Sequence, residues 1–377
     1  MAGRPLDQIR LALDGGDFDG FESIEISHSF TDIATLQVKL GDERSWKSLG
    51  PLVAPGRRVR VFCNGLLQFT GRFEVNRVPV SSAGTVLTLV ARTKLSDATV
   101  ASADQKLTFK NTSIRDFILK LFAPLGFEPK DFIFAAATDR DLVTGKKSGA
   151  KDLVDLEPFK AEQLRVNAPE SIKEVYLRVL KRFHLMLWDA ADGRLLVGRP
   201  DDTQSPFYSF RAKRGTEAYG NNILEAERIV DWTDLPSEVW VAGGAKRTDV
   251  LGAPTRGVAV DLDAYRVAQD TGHFNRRVLI PSEGAKTLDA ANAQAKREMA
   301  ARARAKDVWR IKLDGWGYWD GARVTPYAIN TTADVEVQAV GAEAVGRYMI
   351  AELRKTIDNS DGATAELICY APGIYDI

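Results

Sequence analysis

Alternating hydrophobic and polar residues predict three successive β-strands within residues 55–103. In the first of them, Val59, Val61 and Cys63 alternate with polar or larger neighbours, the period of two that is typical of a half-buried strand. Asn64-Gly65 follows at once and favours the tight turn of a β-hairpin. The predicted strands cover residues 59–63, 66–75 and 85–91. The stretch is therefore expected to fold as an antiparallel meander.

A similar pattern returns near the C-terminus, which indicates a structural duplication. The matching landmarks are Gly56-Arg57-Arg58-Val59 with Gly321-Ala322-Arg323-Val324, Gly71 with Gly346, and the turn ending at Gly84 with the turn ending at Gly362. Earlier alternating segments within residues 8–40 add enough strands for a small barrel. We therefore expect two similar antiparallel β-barrels, one at each end of the chain.

Between the two barrels, the hydrophobic period changes from two to 3.6. Residues 113–122 and 171–180 each place apolar side chains on one helical face, after an N-terminal serine with an acidic residue three positions later. A hairpin is predicted over residues 184–198. The long polar stretch 138–167 is expected to be a surface loop. These elements predict an α+β insert.

The expected fold is α+β and β-dominated, with two tail-tube-like antiparallel β-barrels, the insert between them and an extra Ala-rich helix. The predicted domains are an N-terminal β-barrel (1–104), the α+β insert domain (105–200) and a C-terminal β-barrel (201–377) that carries the helix 287–306.

Composition narrows the class of protein. Of 377 residues, 45% are hydrophobic, which excludes wholesale disorder, and 51 basic residues balance 51 acidic ones, so no global charge attracts nucleic acid or an anionic membrane. Cys63 and Cys369 lie inside predicted strands and are expected to be reduced. The N-terminus lacks the apolar core of a signal peptide, and we expect neither export nor membrane insertion.

The search for chemistry yields no catalytic, cofactor-binding or metal-binding residue. His28, His184 and His273 fall in three separate regions, none with metal-ligand spacing. The metalloprotease, serine hydrolase and phosphate-loop motifs are absent. A basic run over residues 296–306 is interpreted as a solvated helix face rather than a nucleic-acid contact.

An aromatic cluster near the C-terminal meander has two interpretations. Trp316, Tyr318 and Trp319 are so closely spaced that strict strand alternation cannot hide all their rings on one face. At least one ring is expected in a barrel core, and an outward ring would suit a subunit interface, where tryptophan and tyrosine are enriched. These three residues are the candidate interface residues.

Two short motifs give the chain a resemblance to a known family. Gly315-Trp316 is followed by Asp320-Gly321, a G-W-x-x-x-D-G pattern before a strand, and G-N-N-I-L stands at 220–224. With the meanders, these motifs resemble the baseplate hub proteins of contractile-tailed bacteriophages, the Mu-like and late-control-D group. The resemblance covers nearly the whole chain, although stretch 138–167 matches nothing in it.

The resemblance implies a structural virion protein without enzymatic activity, assembled in the host bacterial cytoplasm and located in the tail baseplate. It implies a homotrimer whose pseudo-six-fold ring joins the hexameric tail tube to the trimeric spike and contacts other baseplate proteins. DNA would pass transiently through the lumen during ejection, without specific binding.

Two functions of other classes remain open from the sequence. A tail-associated peptidoglycan hydrolase would need a buried carboxylate pair in a cleft, and a carbohydrate-binding module would need a row of exposed aromatic rings. The sequence also leaves open whether the source is a phage, a phage-derived bacteriocin or a related injection system.

Overall fold

A computed structural model describes most of the chain. The described residues are 6–14, 16–18, 20–40, 52–77, 80–81, 84–85, 87–110, 112–134, 164–182, 185–213, 220–233, 235–243, 256–260, 275–282, 288–303, 307–339, 342–359 and 362–371. Most of the predicted loop 138–167, together with His184 and His273, lies outside this part of the chain.

The strands and helices appear in the following order. The N-terminal part contains β1 (Ile9–Leu13), β2 (Gly16–Phe18), β3 (Ser23–Ser29), β4 (Thr35–Leu40), β5 (Arg58–Cys63), β6 (Leu66–Arg77), β7 (Val80–Ser81), β8 (Gly84–Thr85) and β9 (Leu87–Arg92). The middle contains α1 (Asp97–Val100), β10 (Thr108–Phe109), α2 (Ile114–Phe122), β11 (Phe132–Phe134), β12 (Leu164–Arg165), α3 (Ile172–Arg182), β13 (Met186–Asp189) and β14 (Leu195–Gly198). The C-terminal part contains β15 (Tyr208–Ala212), β16 (Ile223–Ile229), β17 (Glu238–Gly243), β18 (Arg256–Val260), β19 (Arg277–Ser282), α4 (Leu288–Ala303), β20 (Val308–Asp314), β21 (Gly317–Trp319), β22 (Val324–Pro326), β23 (Thr331–Ala339), β24 (Ala342–Asp358) and β25 (Gly362–Tyr370).

The predicted β-dominated fold is confirmed, and its two halves share one strand order. In the first barrel the strands run β3-β4-β9-β6-β5, followed by β1 and β2. In the second barrel they run β16-β20-β25-β24-β23, and β15 follows. Every neighbouring pair within these two five-strand runs is antiparallel. Numbered along the chain, both runs have the order 1-2-5-4-3, which is the topology of a duplication.

The two barrels also share a hairpin with the same irregularity. In the first barrel, Glu74 is an extra residue between the pairs Phe73–Ala91 and Val75–Val90. In the second, Ala351 is an extra residue between Ile350–Cys369 and Glu352–Ile368. Each extra residue stands seven positions before the last described pair at the hairpin tip, Ser81–Gly84 or Asp358–Gly362. Such a bulge bends a strand locally.

This register corrects two landmarks of the predicted repeat. Gly56 precedes β5, whose counterpart is β23, whereas Gly321 precedes β22 in a separate two-stranded sheet, so the two glycines are not equivalent. Phe73 and Ile350 hold the same position, so Tyr348 rather than Gly346 is the counterpart of Gly71. The two glycines also differ physically. A Cβ on Gly71 would lie 2.6 Å from the carbonyl oxygen of Arg92, whereas Gly346 has open space but a φ of +152°. Glycine recurs too often in β proteins to fix an alignment by itself.

The insert has a core of its own, and it shares a hairpin with the second barrel. Helices α2 and α3 form as predicted, and Ser113 caps α2 by accepting a hydrogen bond from the backbone N–H of Asp116 at 3.0 Å. The hairpin β13–β14 is also confirmed. Leu187 faces the insert core, whereas Trp188 is buried in the core of the second barrel. The predicted domain boundaries therefore stay a prediction, since one hairpin serves both cores.

A second insertion separates the first two strands of the second barrel. Strands β18, β17 and β19 form a small sheet, and α4 packs on one of its faces through Ala291, Ala295 and Met299. Helix α4 lies within the predicted span 287–306. The stretch that contains β18 has no clear period in the sequence, so that strand was not predicted. In the first barrel the corresponding link between β3 and β4 is only a short turn.

Candidate assembly interface

The two barrels are joined inside one chain by a pair of strands. Residues 342–350 of β24 pair with β23, and residues 352–358 pair with β3 of the first barrel. The long strand β24 therefore carries the sheet of one barrel directly into the other. We call the pair β3·β24 the intrachain seam. Across it, the guanidinium of Arg354 contacts the carboxylate of Glu25 at 2.6 Å on the outer face.

Side chains of the second barrel fill the core of the first barrel beneath this seam. Trp316 is fully buried there, among residues such as Val61 and Phe69. Its indole N–H donates to the carbonyl oxygen of Thr356 at 2.8 Å, which satisfies its one polar atom. Ile357 also packs against this core. The first barrel is thus completed by residues that come some 300 positions later in the chain.

A buried polar cluster lies at the same place. The ammonium group of Lys355 donates to the side-chain oxygen of Gln68, and the His28 Nε2–H donates to the backbone carbonyl of Gln68 at 3.1 Å. All three residues are buried. Burial lowers the pKa of Lys355 to about 8, against smaller opposing effects of Cys63 and Asp7. Burial and the nearby Lys355 lower the pKa of His28 to about 4, so the imidazole is neutral at pH 7.

The second barrel ends in an exposed edge strand. Within the described part of the chain, β16 pairs with β20 alone. Its residues from Leu224 to Arg228 are exposed on both faces, and Leu224 and Val230 each keep 55% of their surface. An edge strand offers unpaired N–H and C=O groups to another chain. It is therefore the part of the second barrel most suited to receive a partner.

The two motifs behind the family resemblance have clear structural roles. In G-N-N-I-L, the Asn222 side chain accepts from the backbone N–H of Arg211 at 2.8 Å and donates to the carbonyl of Ser209 at 2.7 Å, so it links β15 to the start of β16. In the second motif, the Asp320 carboxylate accepts from the backbone N–H groups of Ala322 and Arg323, and these hydrogen bonds lower its pKa. In both motifs, the side chains therefore act by fixing the backbone at a turn.

The predicted interface residues divide into two groups. The ring of Trp316 is enclosed by the first barrel of its own chain, so Trp316 is a core residue. The prediction that it lies at a subunit interface is therefore corrected. Tyr318 and Trp319 lie in β21, where both are half-buried, and Tyr318 packs edge-on against Tyr208 with ring centroids 6.1 Å apart. An interface role for these two remains a proposal.

The other residues at the seam could not be predicted from local sequence patterns. A lysine inside an alternating strand, such as Lys355, is normally read as solvent-exposed. The charges of Glu25 and Arg354 stand 329 positions apart, and only the strand pairing brings them together.

The described residues were searched for groups that could support catalysis. They contain no group of three or more histidine, cysteine or acidic side chains that could hold a metal ion. The thiol of Cys369 is buried, which raises its pKa and keeps it protonated. Across the same residues, no helix combines the length and apolarity that crossing a membrane requires.

Comparison with known proteins shows what the chain is similar to. No family model matches it. Over 351 residues, however, it is 23% identical to the baseplate hub protein gp44 of Escherichia phage Mu, and the match covers 86% of this chain and 81% of that one. The chain is therefore similar in sequence to a phage baseplate hub protein. The predicted resemblance to baseplate hub proteins is thereby confirmed.

Solved structures support the fold of this chain. A tail protein from Neisseria meningitidis MC58 superposes with a TM-score of 0.75 at 18% identity, over 98% of each chain. The 43 kDa tail protein of prophage MuSo2 from Shewanella oneidensis gives a TM-score of 0.74 at 16% identity, over 98% of this chain and 99% of that one. The whole architecture, including both insertions, is therefore similar to that of these tail proteins.

Proposed function

We propose that the chain is the central hub of a tail baseplate, where three copies form a ring that joins a six-fold tail tube to a three-fold spike. The observation that carries this proposal is the repeated strand order. Each chain presents two like barrels, so three chains present six like units around one axis, which matches a hexameric tube. The same ring keeps true three-fold symmetry for a trimeric spike.

The intrachain seam supports this arrangement. Because β24 runs from one barrel into the other, the two barrels of a chain are held side by side by a continuous sheet rather than by a linker. Trp316 and Lys355 fix their relation further. A pair of like units at a fixed angle is the building block that a closed ring requires.

The insertions mark the difference between the two kinds of unit. The small sheet with α4 interrupts the second barrel alone, so it would appear three times around the ring. It therefore offers a three-fold feature to the spike or to other baseplate proteins. The role is structural and non-enzymatic, and DNA would cross the lumen without specific binding during ejection.

Mass measurement in solution tests the proposal. Multi-angle light scattering on the purified chain, alone and mixed with the spike protein of the same tail, should give a species of three chains of 41.5 kDa each. Formation of the trimer should depend on concentration and increase when the spike is added. A stable dimer in both samples would refute the proposal.

A further inference from the structure

The two barrels can be aligned residue by residue from their hydrogen bonds. Gly56 and Asn330 both adopt the left-handed conformation, with φ of 84° and 55°. Each donates its backbone N–H to the residue before the bulge, Gly56 to the Phe73 carbonyl at 2.8 Å and Asn330 to the Ile350 carbonyl at 2.9 Å. Together with the bulge itself, these bonds make Phe73 equivalent to Ile350, and the following strand residues correspond in order.

The same alignment carries across the sheet to the edge strands. Arg92 of β9 pairs with Thr35 of β4, and the equivalent Tyr370 of β25 pairs with Val308 of β20. One strand further, Thr35 pairs with Ser27 of β3, and Val308 pairs with Ile229 of β16. Strand β16 therefore holds in the second barrel the position that β3 holds in the first.

The alignment exposes an asymmetry between the two barrels. Beyond its bulge, β24 is flanked by β25 on one side and by β3 on the other. Its counterpart β6 is flanked by β9 beyond the bulge, but on the other side the described pairing with β5 ends at Arg72. Within the described part of the chain, no strand pairs with residues 75–77 of β6 on that side, where β24 has β3. The Asn76 side chain donates to the Val53 carbonyl at 3.1 Å. On the second barrel, β16 has the matching open edge.

We infer that the end of β16 and the two residues after it, Ile229–Asp231 of one chain, pair antiparallel with residues 75–77 of β6 in the next copy, as the interchain counterpart of the intrachain seam. This inference rests on the proposed ring and specifies its contact. The equivalent register places Ile229 opposite Arg77, Val230 opposite Asn76 and Asp231 opposite Val75 of the neighbouring copy. Each chain then uses both kinds of seam once, and the ring closes.

The charges at the two open edges match the intrachain seam. There, Arg354 pairs with Glu25 on the outer face. The counterpart of Arg354 is Arg77, and the counterpart of Glu25 is Glu227. Arg77 is exposed, and Glu227 is also exposed, with a surface contact to Arg310 at 3.0 Å. Each seam therefore has an arginine on β24 or its counterpart β6. Each also has a glutamate on β3 or its counterpart β16.

Apolar exposure at the edge points to the same partner. Val230 keeps 55% of its surface, whereas its counterpart His28 keeps 8% because the second barrel covers it. Pairing with a second copy would cover Val230 in the same way. A second copy is thus favoured over an unrelated protein, since it alone supplies a strand already built for this register.

Charge exchange tests the inferred ion pair. Arg77→Glu and Glu227→Arg should each raise the concentration needed for ring formation by about tenfold or more, because each places like charges together in the seam. The double exchange should restore most of the association. Lys120→Glu, a charge reversal on the exposed face of α2, should leave association unchanged. Thermal unfolding of each variant checks that the monomer folds normally.

Cysteine pairs test the register independently of charge. With Arg77→Cys and Ile229→Cys in one chain, mild oxidation of assembled rings should link neighbouring copies, since directly opposite Cα atoms lie about 4.5–5.5 Å apart. The pair Val75→Cys with Ile229→Cys is two positions out of register and should link poorly. The native Cys63 and Cys369 are buried.

The outcomes separate this inference from the proposed function. Rings that form normally in both charge variants, with no cross-link in the matched cysteine pair, would refute the seam and leave the ring intact. Absence of any trimer in the unmodified chain, with or without spike, would refute the ring and the seam together. Weakening by single exchange, rescue by the double exchange and selective cross-linking would establish the seam.

Discussion

The carboxylate of Asp7 accepts a hydrogen bond from the backbone N–H of Trp316 at 2.7 Å, across 309 positions of sequence. This bond ties the start of the chain to the loop before β21, at the point where the Trp316 ring enters the first barrel. The core of the first barrel is therefore not completed by its own segment alone. The folding of the first barrel depends on the C-terminal part of the chain.

Removing this ring should destabilise the protein strongly. We predict that Trp316→Ala lowers the free energy of unfolding by about 3–5 kcal/mol, because a buried aromatic side chain is lost and a cavity remains. Trp319→Ala, in the same strand region but half-buried, should cost about 1 kcal/mol or less. Urea denaturation followed by circular dichroism measures both. Equal effects of the two substitutions would contradict the assigned core position of Trp316.

The buried cluster at the seam predicts sensitivity to acid. Because the pKa of His28 is about 4 in the folded chain and 6.5 in the unfolded one, the unfolded state binds the proton more tightly. The stability that depends on neutral His28 is fully present above pH 6.5 and is lost as the pH decreases towards 4, by about 3 kcal/mol in total. The positive charge of Lys355 beside the ring acts in the same direction.

The contribution of His28 can be separated from that of the carboxyl groups by substitution. Between pH 7 and pH 4.5, the free energy of unfolding should fall by about 2 kcal/mol more in the natural chain than in His28→Gln. The amide of glutamine can still donate a hydrogen bond to Gln68 but cannot take up a proton. Parallel pH profiles for the two proteins would show that His28 is not buried in neutral form.

Sequence patterns predicted the regular elements well, and they missed what depends on distant contacts. The amphipathic helix α2 and its Ser113 cap follow from local spacing, and the same holds for the β5–β6 hairpin with its Asn64-Gly65 turn. Strand β18 lacked a clear period. The burial of Trp316 and Lys355 could not be predicted from their neighbours in the sequence, because the residues that surround them belong to the first barrel, more than 200 positions earlier in the chain.

Limited proteolysis tests the predicted domain organisation. The polar, charge-rich sequence of residues 138–167 predicts that a protease at low concentration cuts there first and leaves both flanks folded. Mass spectrometry of the early fragments would locate the cut. First cleavage in either meander would contradict the predicted organisation, since it would place the most accessible backbone inside a barrel.

We also predict that the protein has no hydrolytic activity. The purified chain should release no soluble fragments from bacterial peptidoglycan over several hours, whereas a lysozyme control does. Activity that disappears when one carboxylate is changed to its amide would show that the structural role is not the complete function.

The ring itself is tested most directly by electron microscopy of the chain assembled with its spike. A reconstruction should show three chains with all six barrels at one radius around the axis, the small sheet and α4 repeated three times, and a central lumen. A ring in which the two barrels of a chain lie at different radii would contradict the account, as would a closed two-fold dimer.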